Sequence, residues 1–355
     1  MSTFKEQWAQ LLAPNRKTGT GMKLDTLDAV RNPFLVDYDR IIFSSSFRRL
    51  ARKTQVHPLV RNDHIHNRLT HSLEVSCVGR SLGLGVGDAL RQRGDLPEGC
   101  TPDHLGQIIQ AACLAHDIGN PPFGHAGEAA IRDWFTDSVN QVQYFKNLLP
   151  AEWADFTAFD GNAQGFRVIN ALENNKDRGG FRLTFPVIAA LVKYPRSAYE
   201  AQGVGKSKFN FYTAERDLFA EIFGAMGLAE GTGWRRHPLS YLLEAADDIC
   251  YRIIDMEDAR ELRIITYADF KAAMAPLLDG KCLDDPRLDS MDSDRRRTSM
   301  LRTTAMGRMI PSITQTFMDN YEAIMEGRLD GCLLNHAREA VAGFVREAGR
   351  VFNSH

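Results

Sequence analysis

TPDHLGQIIQAACLAHDIGNPPFGHAGE, residues 101–128, holds one whole helix, its stop and the start of another. Thr101 offers an N-cap, and Pro102 stands in the first turn, where its missing N–H costs nothing. Apolar residues recur at Leu105, Ile109 and Ala112, and the next place in that series belongs to His116. Gly119 and Pro121 end the helix, the proline also biasing Asn120 toward extended backbone. The spacing predicts a helix that turns a histidine inward where the chain breaks. Successive helical residues diverge by about 100°, but at a helix terminus His116 and Asp117 can converge on one point.

Two other segments repeat the theme. In RLTHSLEVSCVGRSL (68–82) the inward stripe is His71, Val75, Val78 and Leu82, and in LSYLLEAADDICYRIIDMEDA (239–259) it is Leu243, Asp247, Cys250 and Ile254. Helical periodicity returns at 214–226, 304–325 and 336–349. Alternating β-branched runs are confined to FRLTF (181–185) and RIITY (263–267), so the class is all-α. Residues 1–40, Gly-rich at KTGTGMKL, read as an irregular lead-in. Residues 41–278 read as the main domain, and 279–355 as a charged loop, centred on 279–299, followed by helices packing on the same domain. The ending AGRVFNSH stops on an apolar pair and reads as a truncated chain.

With 43 basic and 45 acidic residues among 355, net charge points to neither a nucleic-acid nor a membrane partner. No stretch approaches the roughly 20 apolar residues of a spanning helix, and the start has no signal-peptide run. The six cysteines, at 77, 100, 113, 250, 282 and 332, form no CxxC pair, which fits a reducing cytoplasm better than a disulfide or zinc scaffold.

Three helices thus each aim a polar group at the interior. An unpaired buried carboxylate costs several kcal/mol, so it is normally paired, protonated or metal-bound. Two imidazoles and two carboxylates suit Mn, Mg, Fe, Co or Ni with open positions better than a closed zinc site. Spacing alone leaves other readings open: hydrogen-bonded core histidines, and an Asp247 paired with Arg252 or another arginine.

His71, then His116–Asp117, then Asp247 resembles the H…HD…D signature of HD-domain phosphohydrolases. The surrounding words DYDRIIFSSSFRRLARKTQV (37–56), RLTHSLEV, AHDIGNPPFGHAGE, VKYP (192–195) and EAADDICYRIID (244–255) resemble the deoxyguanosinetriphosphate triphosphohydrolases, in that family's order; MIPSITQTFMDNYEAI extends the likeness. The resemblance implies an HD-domain helical bundle that hydrolyses a deoxynucleoside triphosphate, dGTP by family default, to deoxynucleoside and inorganic triphosphate.

It further implies a divalent metal, Mn2+ or Mg2+ first, held by His71, His116, Asp117 and Asp247. His125 matches the family's catalytic histidine and Glu128 the acid that orients it. Arg68 and Lys193 match phosphate contacts, with Tyr194 lining the same pocket. Tyr251 and Asp255 fall one and two turns after Asp247 and match the residues that meet the deoxyribose, as does Gln55. Asp248 is free to pair with Arg252 four residues on. His57, His64 and His66 sit in a polar loop and read as solvated or phosphate-proximal. The run DRRRTSMLR (294–302) could meet an effector nucleotide or single-stranded DNA, and the family likeness implies a homo-oligomer, hexameric or ring-like. The competing readings are a different HD phosphohydrolase and a catalytically silent nucleotide or DNA sensor.

Overall fold

Several helix starts in this chain are written by a polar side chain followed by proline. Asn32 precedes Pro33 and accepts from the N–H groups of Phe34 and Leu35, Thr101 precedes Pro102, and His237 precedes Pro238. The computed structural model describes residues 3–354 apart from 19–20, 28–29, 60–61, 138–139, 141–146 and 175–178. The elements that build the site are α1 (Thr3–Leu11), an antiparallel hairpin of β1 (Asn15–Thr18) and β2 (Gly21–Leu24), α2 (Pro33–Ile42), α3 (Arg68–Arg93), α4 (Pro102–Ala115), α5 (Gly124–Thr136), α6 (Phe185–Leu191), α7 (Pro238–Glu261), α8 (Asp294–Asp319) and α9 (Glu339–Ser354), joined by shorter helices.

α4 is the central rod. α2, α3, α6 and α7 all pack on it, and Leu105, Ile108, Ile109 and every residue from Ala111 to Ala115 are fully buried. The last turn of the helix, wrapped on all sides, is apolar all round, and Asp103, Gln107 and Gln110 keep the rest partly open. α3 runs antiparallel to it along a glycine seam. A methyl group on Gly79 would stand 2.5 Å from Cys113 Sγ, one on Gly83 2.8 Å from the Gly106 Cα, and one on Gly87 2.6 Å from the Pro102 Cα. The two backbones therefore touch. Following that register back two turns from Gly79 brings His71 beside the end of α4, where His116 is the C-cap. The two imidazole centroids lie 5.4 Å apart. One cluster of buried apolar side chains runs from Trp8 through α3, α4 and α7 to Ala348 of α9.

Four local expectations need correction, and capping explains each. FRLTF forms no strand: Thr184 is the N-cap of α6, with Pro186 in its first turn, and touches β1 through a single bridge to Arg16. RIITY forms none either, because Thr266 and Asp269 make a capping box that opens the Tyr267–Met274 helix. The polar stretch 279–299 is largely helical. Its aspartates Asp279 and Asp285 cap the short helices Gly280–Leu283 and Pro286–Asp289, and α8 begins at Asp294. The lead-in 1–40 holds α1, the hairpin and α2, whose Asn-Pro start is the signal the composition hid.

Candidate active site

His71, His116 and Asp117 bring their donor atoms within 4.8 Å of one another. Asp247 joins them from α7, its Oδ1 lying 3.2 Å from His71 Nε2 and 3.5 Å from His116 Nε2. The chain fixes the histidine tautomer locally. His116 Nδ1–H donates to the Cys113 carbonyl at 2.6 Å, which leaves Nε2 with a lone pair facing the two aspartates. His71 Nδ1 is buried without a hydrogen-bond partner, a deficit that an added water or ligand relieves.

The charges favour a cation at this point. Burial alone would raise the Asp117 carboxyl, but His116 and Arg68 outweigh it and hold it below the usual range. Asp247 behaves alike: burial opposes its charge, yet Lys193 and His116 keep it well below an ordinary carboxylate. Burial should strip the proton from His116, and the two aspartates instead draw positive charge to it. Ionised oxygens and the Nε2 atoms of the two imidazoles that face them make a donor set that fits a divalent ion with mixed N/O ligands. Each aspartate also carries one cation on its outer oxygen. Arg68 Nη1 donates to Asp117 Oδ2 at 2.7 Å, and Lys193 Nζ donates to Asp247 Oδ2 at 2.8 Å.

Beyond Arg68 stands the second pair. Its Nη2 occupies the space a side chain on Gly124 would need, and His125 follows directly. His125 Nδ1–H donates to Glu128 Oε2 at 2.8 Å, leaving Nε2 on an imidazole that is 85% exposed while Glu128 is buried. Burial would raise Glu128, but His125, the Gly161 N–H at 2.7 Å and Lys208 keep it below its ordinary value. A buried, ionised acid thus orients an exposed imidazole.

A family profile described as the HD domain matches residues 68–155, which run from α3 into the helix Pro150–Thr157. Over 335 residues the chain is 46% identical to a deoxyguanosinetriphosphate triphosphohydrolase-like protein of Pseudomonas aeruginosa, covering 93% of this chain and 74% of that one. A Synechocystis protein of the same name is 41% identical, covering 94% and 76%. The Serratia proteamaculans deoxyguanosinetriphosphate triphosphohydrolase is 33% identical, covering 88% and 69%. The chain belongs to the deoxyguanosinetriphosphate triphosphohydrolase family of HD-domain hydrolases.

In this family member the remaining expected residues surround the cluster unevenly. Tyr251 is half-exposed one turn beyond Asp247, and Asp255 is buried a turn further with neither carboxyl oxygen hydrogen-bonded. Burial, reinforced by Asp258, pushes Asp255 well above an ordinary aspartate. Gln55 follows Thr54, which bridges Asn67, the N-cap of α3, and the Gln55 Oε1 is buried without a partner. Tyr194 lines a cavity of about 560 Å3 with Lys193, Lys208 and Arg236. Asp248 leans on Arg252 at 3.8 Å and is pushed up to about 6 by burial.

The arginines of 294–302 are paired within the chain: Arg295 with Glu261, Arg296 with Asp292, Arg297 with Asp294 and Arg302 with Glu257. His66, expected to be solvated or phosphate-proximal, is held between the carboxylates of Glu74 and Asp258. None of the described helices is long and apolar enough to cross a membrane.

Some site residues escaped the sequence reading. Asn120 Nδ2 donates to Asp117 Oδ1, and Lys53 Nζ donates to the Asn120 carbonyl. Lys208 lies 3.1 Å from Asp160 and 3.8 Å from Glu128. The signal that could have found this region is DGNAQG (160–165), an Asp N-cap ahead of two glycines. Their backbone meets Gly119 so closely that a methyl group there would lie 2.0 Å from the Gly165 nitrogen.

Proposed function

We propose that this enzyme hydrolyses a deoxynucleoside triphosphate, dGTP by the names of its relatives, to the deoxynucleoside and inorganic triphosphate. The observation that carries the reading is the adjacency, across Arg68, of a cation-seeking cluster and a His–Glu pair. His71, His116, Asp117 and Asp247 would hold Mn2+ or Mg2+. A bound ion supplies Lewis-acid polarisation of an α-phosphate oxygen.

The chain's own groups do the rest. Arg68 and Lys193 already stand on carboxylate oxygens, so arriving phosphate oxygens exchange one anionic partner for another at little cost in desolvation. Because Nδ1–H of His125 is committed to Glu128, its proton traffic runs through Nε2. There it takes a proton from the attacking water or, once protonated, returns one to O5′ as the P–O5′ bond breaks. Tyr251 and Asp255 would face the sugar, with the Asp255 carboxyl meeting the 3′-hydroxyl and Gln55 adding a polar contact. Tyr194 would line the phosphate end.

Incubation with Mn2+ and each dNTP in turn, followed by separation of products, tests the proposal. Deoxynucleoside plus triphosphate is expected. Pyrophosphate plus monophosphate would assign a different hydrolase, and His125→Ala should lower turnover about a hundredfold or more.

A further inference from the structure

Several ion pairs join residues three or four apart on one helix, but His66 joins two of the helices that carry the cluster. Its backbone N–H donates to Asp258 Oδ2 at 3.0 Å, its Nδ1–H to Asp258 Oδ1 at 2.8 Å, and its Nε2–H to Glu74 Oε1 at 3.1 Å. Both ring nitrogens face carboxylates, so both carry hydrogen and the ring is an imidazolium. Burial opposes that charge, yet the hydrogen bonds to Asp258 and Glu74 outweigh it and raise His66 to about 10. Glu74 stands one turn after His71 on α3, and Asp258 one turn after Asp255 on α7.

The consequence falls on Asp255. Asp258 has both oxygens engaged by His66, whereas Asp255, buried three residues earlier, has neither engaged. Without His66, two carboxyls on one face of α7 would compete for any incoming donor and repel each other when charged.

We infer that His66 is a positioning residue for the sugar end of the site. It saturates Asp258 and ties α7 to α3, so that Asp255, rather than its neighbour, presents an open carboxyl to a hydroxyl. This rests on the proposed reading of Asp255 as the 3′-hydroxyl partner.

The test compares dGTP with 2′,3′-dideoxy-GTP, which differ only at that hydroxyl, in the full-length enzyme and its variants. His66→Ala should lower kcat/KM for dGTP roughly tenfold, the scale of a hydrogen bond involving a charged group, and leave the dideoxy value within about twofold. The preference for the 3′-hydroxyl then shrinks. His66→Arg, whose fork can reach both carboxylates, should restore the preference. If the alanine variant is recovered unfolded, His66→Gln carries the same comparison. Equal losses on both nucleotides, or unchanged discrimination, would overturn the role of His66. A wild-type enzyme that turns over both nucleotides alike would instead sink the reading of Asp255.

Discussion

Asp247 shows how much one side chain decides. Its Oδ1 faces two imidazoles and its Oδ2 holds Lys193, so two substitutions a hydrogen bond apart should separate metal binding from phosphate binding. Asp247→Asn is expected to lose bound metal and to lower turnover by at least about a hundredfold, read by elemental analysis and product release. Lys193→Met should keep the metal and raise KM roughly tenfold. Loss of metal from both variants would mean that Lys193 supports the cluster rather than the phosphate. His71, His116 and Asp247 were legible in the sequence because each interrupts an apolar stripe at helical spacing. Asn120, Lys53 and Lys208 were not, since polar residues in loops carry no periodicity, and Lys53 and Lys208 reach Asn120 and Glu128 only through tertiary packing.

At the scale of the helix, His237 links a cap to a pH dependence. It caps α7 by accepting from the Leu239 N–H at Nδ1, while Nε2–H donates to the Leu11 carbonyl. Acceptance at Nδ1 requires the neutral ring, and burial lowers its pKa to about 4 against the pull of the Leu11 carbonyl. That value lies below the histidine's ordinary 6.5, so as pH falls the unfolded chain takes up the proton first. The stabilisation, about 3 kcal/mol, is complete above roughly pH 6.5 and gone by about pH 4. Denaturant midpoints measured across that range should fall with pH, and His237→Gln should be weaker at pH 7 but lose stability more gently on acidification. A wild-type midpoint flat from pH 6.5 to 4 would contradict this.

The same scale explains which elements the sequence disclosed. Long periodic helices such as α3, α4 and α7 were plain. Short ones at 267–274 and 280–289 were not, because a capping residue outweighs five residues of alternation or polarity.

Across the whole molecule, the N-terminal hairpin and α2 are bound to the start of α6 by a buried charge network. Arg16 of β1 donates to Asp25 at 2.7 Å and to Asp37 of α2 at 2.8 Å, and Asp37 accepts from the Thr184 N–H and hydroxyl. Thr184 opens α6, which leads directly to Lys193. Removing Arg16 would strand a fully buried carboxylate, so Arg16→Ala should cost about 3–5 kcal/mol and lower the Tm by several degrees. Replacing both partners with apolar residues should recover much of that loss. An Arg16→Ala protein as stable as wild type would show that the network is ornamental. Nothing in the local sequence marked this contact, which joins residues 16, 37 and 184 across separate elements.

The glycine seam between α3 and α4 bears on how the enzyme would choose its ion. Backbones in such close contact leave the two helices little room to shift, so the histidines at their shared end are mounted on one stiff fork. An ion of larger or smaller radius must then be accommodated by the opposing jaw, the Asp247 turn of α7. Discrimination between Mg2+ and larger divalent ions should accordingly follow changes in how α7 is anchored, and remain indifferent to repacking along the far flank of the fork.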